Sequence, residues 1–177
     1  HTEYEYLVVD TLKKYEIGIP GLADHLLAFW ERWFFDNKYL KYDQPIPGAI
    51  EFVNELVKNG ITVIYLTGRD TPRMGKGTIE SLKKSGFPID ANRTIPMLKP
   101  KFEDDNWAHK NMRMNEIKQL GKVAAAFDNE PGEVNILADH FPDAIIVMVE
   151  SLHSPNAPEP RQSVQCIRNF NDGFIGN

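Results

Sequence analysis

Cysteine is almost missing from this chain. A single Cys166 among 177 residues permits no internal disulfide and no cysteine-based metal site, and a reducing compartment such as the cytoplasm is the expectation. No apolar run approaches the length needed to span a bilayer. The first residues lack the basic-then-apolar layout of a signal peptide. No repeat or low-complexity tract stands out. Positive charge is in deficit, with 20 Lys and Arg against 25 Asp and Glu and a formal net charge of −5. That balance speaks against a general nucleic-acid binder. The five histidines are scattered without metal-ligand spacing, and none is assigned a role. What is present is ordinary for a globular domain: 42% apolar and 25% charged residues, and enough chain to bury a core.

Apolar periodicity organises the chain. Residues 3–15 place Tyr4, Leu7, Val8, Leu12 and Tyr15 at helical spacing, with a short strand over Tyr6 to Val9 as the competing reading. After a break at Gly18, Pro20 and Gly21, residues 22–36 (LADHLLAFWERWFFD) read as a very aromatic packing helix. A Pro- and Gly-rich turn leads to a helix over 48–59, with Ile50, Val53, Leu56 and Val57 on one face. Residues 61–66 (ITVIYL) have the continuous apolar character of a strand covered on both faces. A helix over 78–85, a loop, and a helix over 107–120 follow. Strands over 123–127 and 144–149 flank a short helix at 133–140, and 164–167 form a candidate edge strand. Strands alternating with helices predict an α/β fold with a parallel sheet.

In open parallel sheets, ligands bind beyond the carboxyl ends of the strands. The first strong strand ends in Thr67-Gly68-Arg69-Asp70. A hydroxyl and a backbone N–H beside a glycine can donate to a phosphoryl oxygen, and Arg69 can add a charge-assisted contact. The second ends in Asp128-Asn129-Glu130, whose oxygens suit a hard cation such as Mg²⁺. Between them, Lys110 on a helix can neutralise charge as a phosphoryl group transfers. Each residue alone is more often a turn residue, a helix cap or a solvated lysine; their order along the chain is the signal.

These segments resemble motifs of the haloacid dehalogenase (HAD) superfamily. Residues 64–70 (IYLTGRD) are similar to its second motif, 109–117 (HKNMRMNEI) to its third-motif helix, and 123–130 (VAAAFDNE) to its fourth. The resemblance spans roughly residues 45–150. It is nearest to small-cap members such as polynucleotide 3′-phosphatases, through the run Leu-Thr-Gly-Arg, a Gly-Phe-Pro turn and the loop Met97-Leu-Lys-Pro100. It implies a Rossmannoid three-layer α/β sandwich with a parallel central sheet (45–177) and a small helical cap (1–44). It also implies an Mg²⁺-dependent phosphomonoester hydrolase acting on a small phosphorylated substrate through an aspartyl-phosphate. In it, Thr67 and Lys110 are the catalytic pair, Thr67, Gly68 and Arg69 bind the substrate phosphate, and Asp128 and Asn129 hold the metal. Lys99, expected on a surface loop, is the second-choice lysine.

Two departures shape the expectations. The second metal carboxylate is not where the family places it, and Glu130 or Glu133 is the substitute. No Asp-x-Asp precedes residue 60; its first Asp would attack phosphorus and its second act as acid and base. Either Asp10 ends a degenerate first strand, or Asp10 lies on a cap helix and the nucleophile strand lies upstream of His1. A binding or regulatory protein that has lost catalysis on the same fold is the alternative.

Overall fold

The computed structural model describes Glu5, residues 7–89 and residues 92–172. Its elements run α1 (Val8–Lys14), α2 (Leu22–Phe34), a 3-10 helix (Asn37–Tyr42), α3 (Ala49–Lys58), β1 (Val63–Asp70), α4 (Thr71–Ser85), β2 (Thr94–Lys99), α5 (Asn106–Leu120), β3 (Ala125–Asp128), α6 (Pro131–His140), β4 (Ile145–Val149) and β5 (Gln165–Ile167). All the strand pairings are parallel, as the alternation of strand and helix predicts. Of the expected N-terminal helix over 3–15, Glu3, Tyr4 and Tyr6 lie outside the described residues. The strand alternative over Tyr6 to Val9 does not hold, because Val8 and Val9 open α1. Asp10 therefore sits on a helix, where it pairs with Lys13 at 3.2 Å.

The strands form two ladders, β2-β1 and β3-β4-β5. Both lie under one helical layer. Met114 and Ile117 of α5 and Val134 and Leu137 of α6 share a buried cluster with Met97 of β2 and Ile146 of β4, and Ile64, Leu66 and Ala126 join its margin. On the other side Phe52 of α3 meets Phe127 of β3 and Phe170, with ring centroids 5.5 and 5.1 Å away. The single central sheet expected from sequence is thus two sheets side by side. Among the described residues no strand pairs with the free edges of β1 and β3.

Three further expectations change. The stretch read as a loop before Pro100 is strand β2, at the edge of its ladder, and the register sets Pro96 opposite Tyr65; an edge strand tolerates a residue without an N–H. Helix α4 begins at Thr71 rather than Thr78, with Asp70 as its N-cap and Pro72 in its first turn. Gly75 and Gly77 interrupt its apolar pattern, but Gly77 lets the 3-10 helix close in: its N–H donates to Asn37 Oδ1 at 2.8 Å, and a Cβ there would come within 3.0 Å of Leu40 Cδ1. Helix α2 buries none of its side chains. Its aromatics pack mainly on one another, Trp30 stacking on Phe34 with ring centroids 5.0 Å apart, and Phe29 stays 60% exposed.

Candidate functional site

The carboxyl end of β1 leaves its ladder where the sequence singled out Thr67, Gly68 and Arg69. Leu66 pairs with Met97 and Asp70 with Lys99, so three residues of β1 stand opposite Leu98 alone. Such a bulge takes backbone groups out of strand pairing and re-aims side chains. Thr67 Oγ1 accepts from Arg69 N–H at 3.2 Å, which fixes the turn. The Arg69 guanidinium donates to Asp43 Oδ2 at 2.7 Å. Asp70 closes the bulge. Only 1% exposed, its carboxylate accepts from Arg73 N–H at 3.0 Å and Arg73 Nε at 2.9 Å. Burial alone raises the Asp70 pKa, but these bonds and the Arg73 charge outweigh it and hold the carboxyl below its ordinary range. Arg73 in turn stacks over Phe102, 3.4 Å from the ring centre, and over Phe35, tying the end of α2 to the core.

Across the cleft, β3 ends in Asp128. Its Oδ1 accepts from Glu130 N–H at 3.0 Å, and its Oδ2 accepts from Lys110 Nζ of α5 at 2.9 Å. Glu133 Oε2 of α6 lies 3.5 Å from the same ammonium. All three side chains are largely buried. Burial pushes the Glu133 pKa up, and the Asp128 and Glu130 charges add to that against the pull of Lys110, leaving it above its ordinary value. Lys110 and Asp128, 18 residues apart in the chain, are therefore in contact. Arg69, Asp128 and Asn129 line one cleft of about 690 Å³, whose apolar wall includes Leu82, Phe87, Phe127 and Phe170.

The other metal-ligand candidates divide. Asn129 is exposed, and its Nδ2 donates to Leu152 O at 3.1 Å. Glu130 turns to the Pro-rich tail, where Ser154 N–H and Oγ donate to its carboxylate. Glu133 is thus the acid that the fold sets beside Asp128. Its buried Oε2 makes no hydrogen bond and faces the Lys110 ammonium as an ion pair at 3.5 Å; two carboxylates gathered on one ammonium are oxygen donors of the kind a hard cation takes. No group of three or more His, Cys, Asp or Glu is placed to hold a metal among the described residues.

Lys99 overturns the expectation of a surface lysine. It ends β2 at 5% exposure, and its Nζ donates to Phe102 O at 2.8 Å and Asn106 Oδ1 at 2.9 Å. Sequence reading missed Asn106 altogether; the signal available was its place just after Asp105, the cap that opens α5. His109 was left without a role, yet it is 3% exposed with neither ring nitrogen bonded. Burial, followed by the charges of Arg113 and Lys99, depresses its pKa. The unfolded chain accepts a proton near the ordinary value of 6.5, while the folded protein resists it. Stability therefore falls as pH drops below that value, until the folded group itself titrates. His109→Leu is expected to flatten the melting temperature between about pH 7 and pH 5; thermal melts across that range check it, and an unchanged slope would count against His109 as the source.

No helix among the described residues is long and apolar enough to cross a membrane. Neither the curated proteins nor the solved structures contain a match to the chain. Residues 28–126 match the family described as HAD superfamily, subfamily IIIB (Acid phosphatase). That match covers more than half of the chain and takes in the Thr67–Arg69 bulge and Lys110, and it agrees with the parallel strands and their carboxyl-end cleft: the chain belongs to the HAD superfamily, subfamily IIIB.

Proposed function

We propose that the protein is a phosphomonoester hydrolase acting on a small phosphorylated substrate, with the phosphoryl group held in the cleft between the ends of β1 and β3. The observation that carries this is the Lys110 ammonium, set between Asp128 at 2.9 Å and Glu133 at 3.5 Å, where Asp128 itself lines a cleft together with Arg69. In this site the Thr67 hydroxyl and the Gly68 N–H donate to phosphoryl oxygens, and Lys110 offsets their growing negative charge in the transition state. Arg69 exchanges Asp43 for a phosphoryl oxygen. Residues 1–44 act as the cap and residues 45–177 as the core.

The resemblance to the superfamily implies an aspartate nucleophile at the end of a strand beside β1, and among the described residues no strand occupies that place. Asp10 does not fill that place, being on α1. One carboxylate oxygen attacks phosphorus, the bond from phosphorus to the leaving oxygen breaks, and that oxygen takes a proton. Water then attacks phosphorus, the aspartyl oxygen departs, and orthophosphate is released. Asp128 and Glu133 would hold Mg²⁺, with Asn129 contributing its carbonyl oxygen. The metal supplies charge neutralisation at the phosphoryl oxygens when bound.

Hydrolysis of 4-nitrophenyl phosphate by the protein tests this. Turnover is expected with Mg²⁺, loss after chelation, and recovery when Mg²⁺ is restored. Turnover that chelation leaves untouched would overturn the metal assignment, and no turnover with any divalent ion would overturn the hydrolase assignment.

A further inference from the structure

We propose that Asn106 is a further phosphate-binding residue of this site and that buried Lys99 positions it. The inference rests on the proposed function. Gly68 sits in the middle of the bulge that would bind the phosphoryl group. A Cβ built on it would lie 2.9 Å from Asn106 Oδ1, 3.1 Å from Cγ and 3.3 Å from Nδ2. The Asn106 amide therefore lies flat against the Gly68 Cα, and glycine is needed there so that the amide can come this close.

The two ends of that amide are used differently. Oδ1 accepts from Lys99 Nζ at 2.9 Å. Nδ2 has no acceptor among the described residues, so both of its hydrogens remain available beside the bulge. An amide whose oxygen is occupied by an ammonium cannot flip without placing its NH₂ group against a cation. Lys99 thus fixes which end of Asn106 is left free beside the bulge.

Lys99 itself is out of the ordinary. It is a buried ammonium whose bonds go to two uncharged oxygens, Phe102 O and Asn106 Oδ1. The nearest carboxylate in register is Asp70, which Arg73 already engages through Nε and the backbone. A buried cation without a counter-charge is costly, and a phosphate bound in front of Asn106 supplies that charge one residue away. The same lysine holds the turn after β2 by its bond to Phe102 O, so it must be tested apart from folding.

Orthophosphate binding, followed by calorimetry with Mg²⁺ present, makes the separation alongside thermal melts. Asn106→Asp keeps the oxygen that Lys99 binds but replaces the donor with a carboxylate facing the anion. It is expected to melt at or above the wild type, since the new carboxylate pairs with Lys99, and to lose about 10- to 100-fold in orthophosphate affinity. Asn106→Ala is expected to lose about tenfold. Lys99→Met is expected to weaken binding in the wild-type background and to add no further loss on top of Asn106→Ala, since the lysine acts through the amide. Full orthophosphate affinity in Asn106→Asp would overturn the role of Asn106. An equal loss from Lys99→Met in both backgrounds would overturn its positioning role. If the wild type itself fails to bind orthophosphate, the hydrolase assignment falls and takes this one with it.

Discussion

Replacing Lys110 by Met is expected to lower aryl phosphate turnover by about 10²- to 10³-fold and to destabilise the folded protein by about 3–5 kcal/mol at neutral pH. Both effects come from one geometry. The ammonium stands between Asp128 and Glu133, and all three side chains are largely shielded from water. Without it, two carboxylates face each other in a site of low dielectric, where like charges strongly disfavour double ionisation. Glu133 already titrates above its ordinary value because of burial, and losing Lys110 removes the main force holding it down.

The sign of the pH dependence follows. A carboxyl whose folded pKa is raised holds its proton in the folded state more tightly than in the unfolded chain. Ionising it costs stability as pH rises from 4.5, its ordinary value, through the folded pKa. In Lys110→Met that window extends upward. The melting difference from wild type should therefore widen from about pH 5 to about pH 8. A difference that stays constant with pH would mean that Lys110 does not hold Glu133 in its charged form.

Asp70→Ala should be the most damaging substitution outside the cleft, at about 2–3 kcal/mol, combining the loss of a helix N-cap with the loss of a buried partner for Arg73. Arg73 keeps partial access to water, which holds the cost below that of a fully buried pair. Two hydrogen bonds, from Arg73 N–H and Nε, and an ion pair to a terminal guanidinium nitrogen depend on this one carboxylate. Arg73 also bridges Phe102 and Phe35, so the turn after β2 and the end of α2 should loosen together. Asp70 is held below its ordinary value of 3.8. Its contribution is complete above that pH and is lost as pH falls through the folded pKa. Denaturant unfolding at neutral pH and at about pH 2.5 checks both points: the gap between variant and wild type should be full in the first and reduced in the second. A gap below about 1 kcal/mol at neutral pH would contradict the role given to Asp70.

Much of this was legible in the sequence because it rests on local patterns. The helix over residues 48–59 and the strands leading into Thr67 and Asp128 follow from apolar spacing and from breaks at glycine. The Lys110–Asp128 contact followed from placing a helix lysine and a strand-end acid at the same rim of a parallel sheet. What stayed hidden depends on contacts distant in sequence. Pro96 and Pro100 disguised β2, since proline reads against a strand until its edge position is known. Burial of Lys99 could not be foreseen, because a lone lysine after a strand is usually solvated and its acceptors belong to the next turn and helix. Gly75 and Gly77 hid the first two turns of α4, where the 3-10 helix needs room. Glu130 and Glu133 were equal candidates by spacing, and only the tail folding back with Ser154 separated them. The split of the sheet was beyond reach for a different reason: a period of two says which face a residue takes but not which strand lies beside it.

The central claim is that a carboxylate of the protein is phosphorylated in the cleft lined by Arg69 and Asp128. The direct test is to quench the protein in acid while it turns over an aryl phosphate labelled on phosphorus. The account predicts protein-bound label that hydroxylamine releases, as an acyl phosphate requires, and little or no label in Asp128→Asn and Lys110→Met. Label that survives hydroxylamine, or an Asp128→Asn variant labelled as fully as the wild type, would contradict it.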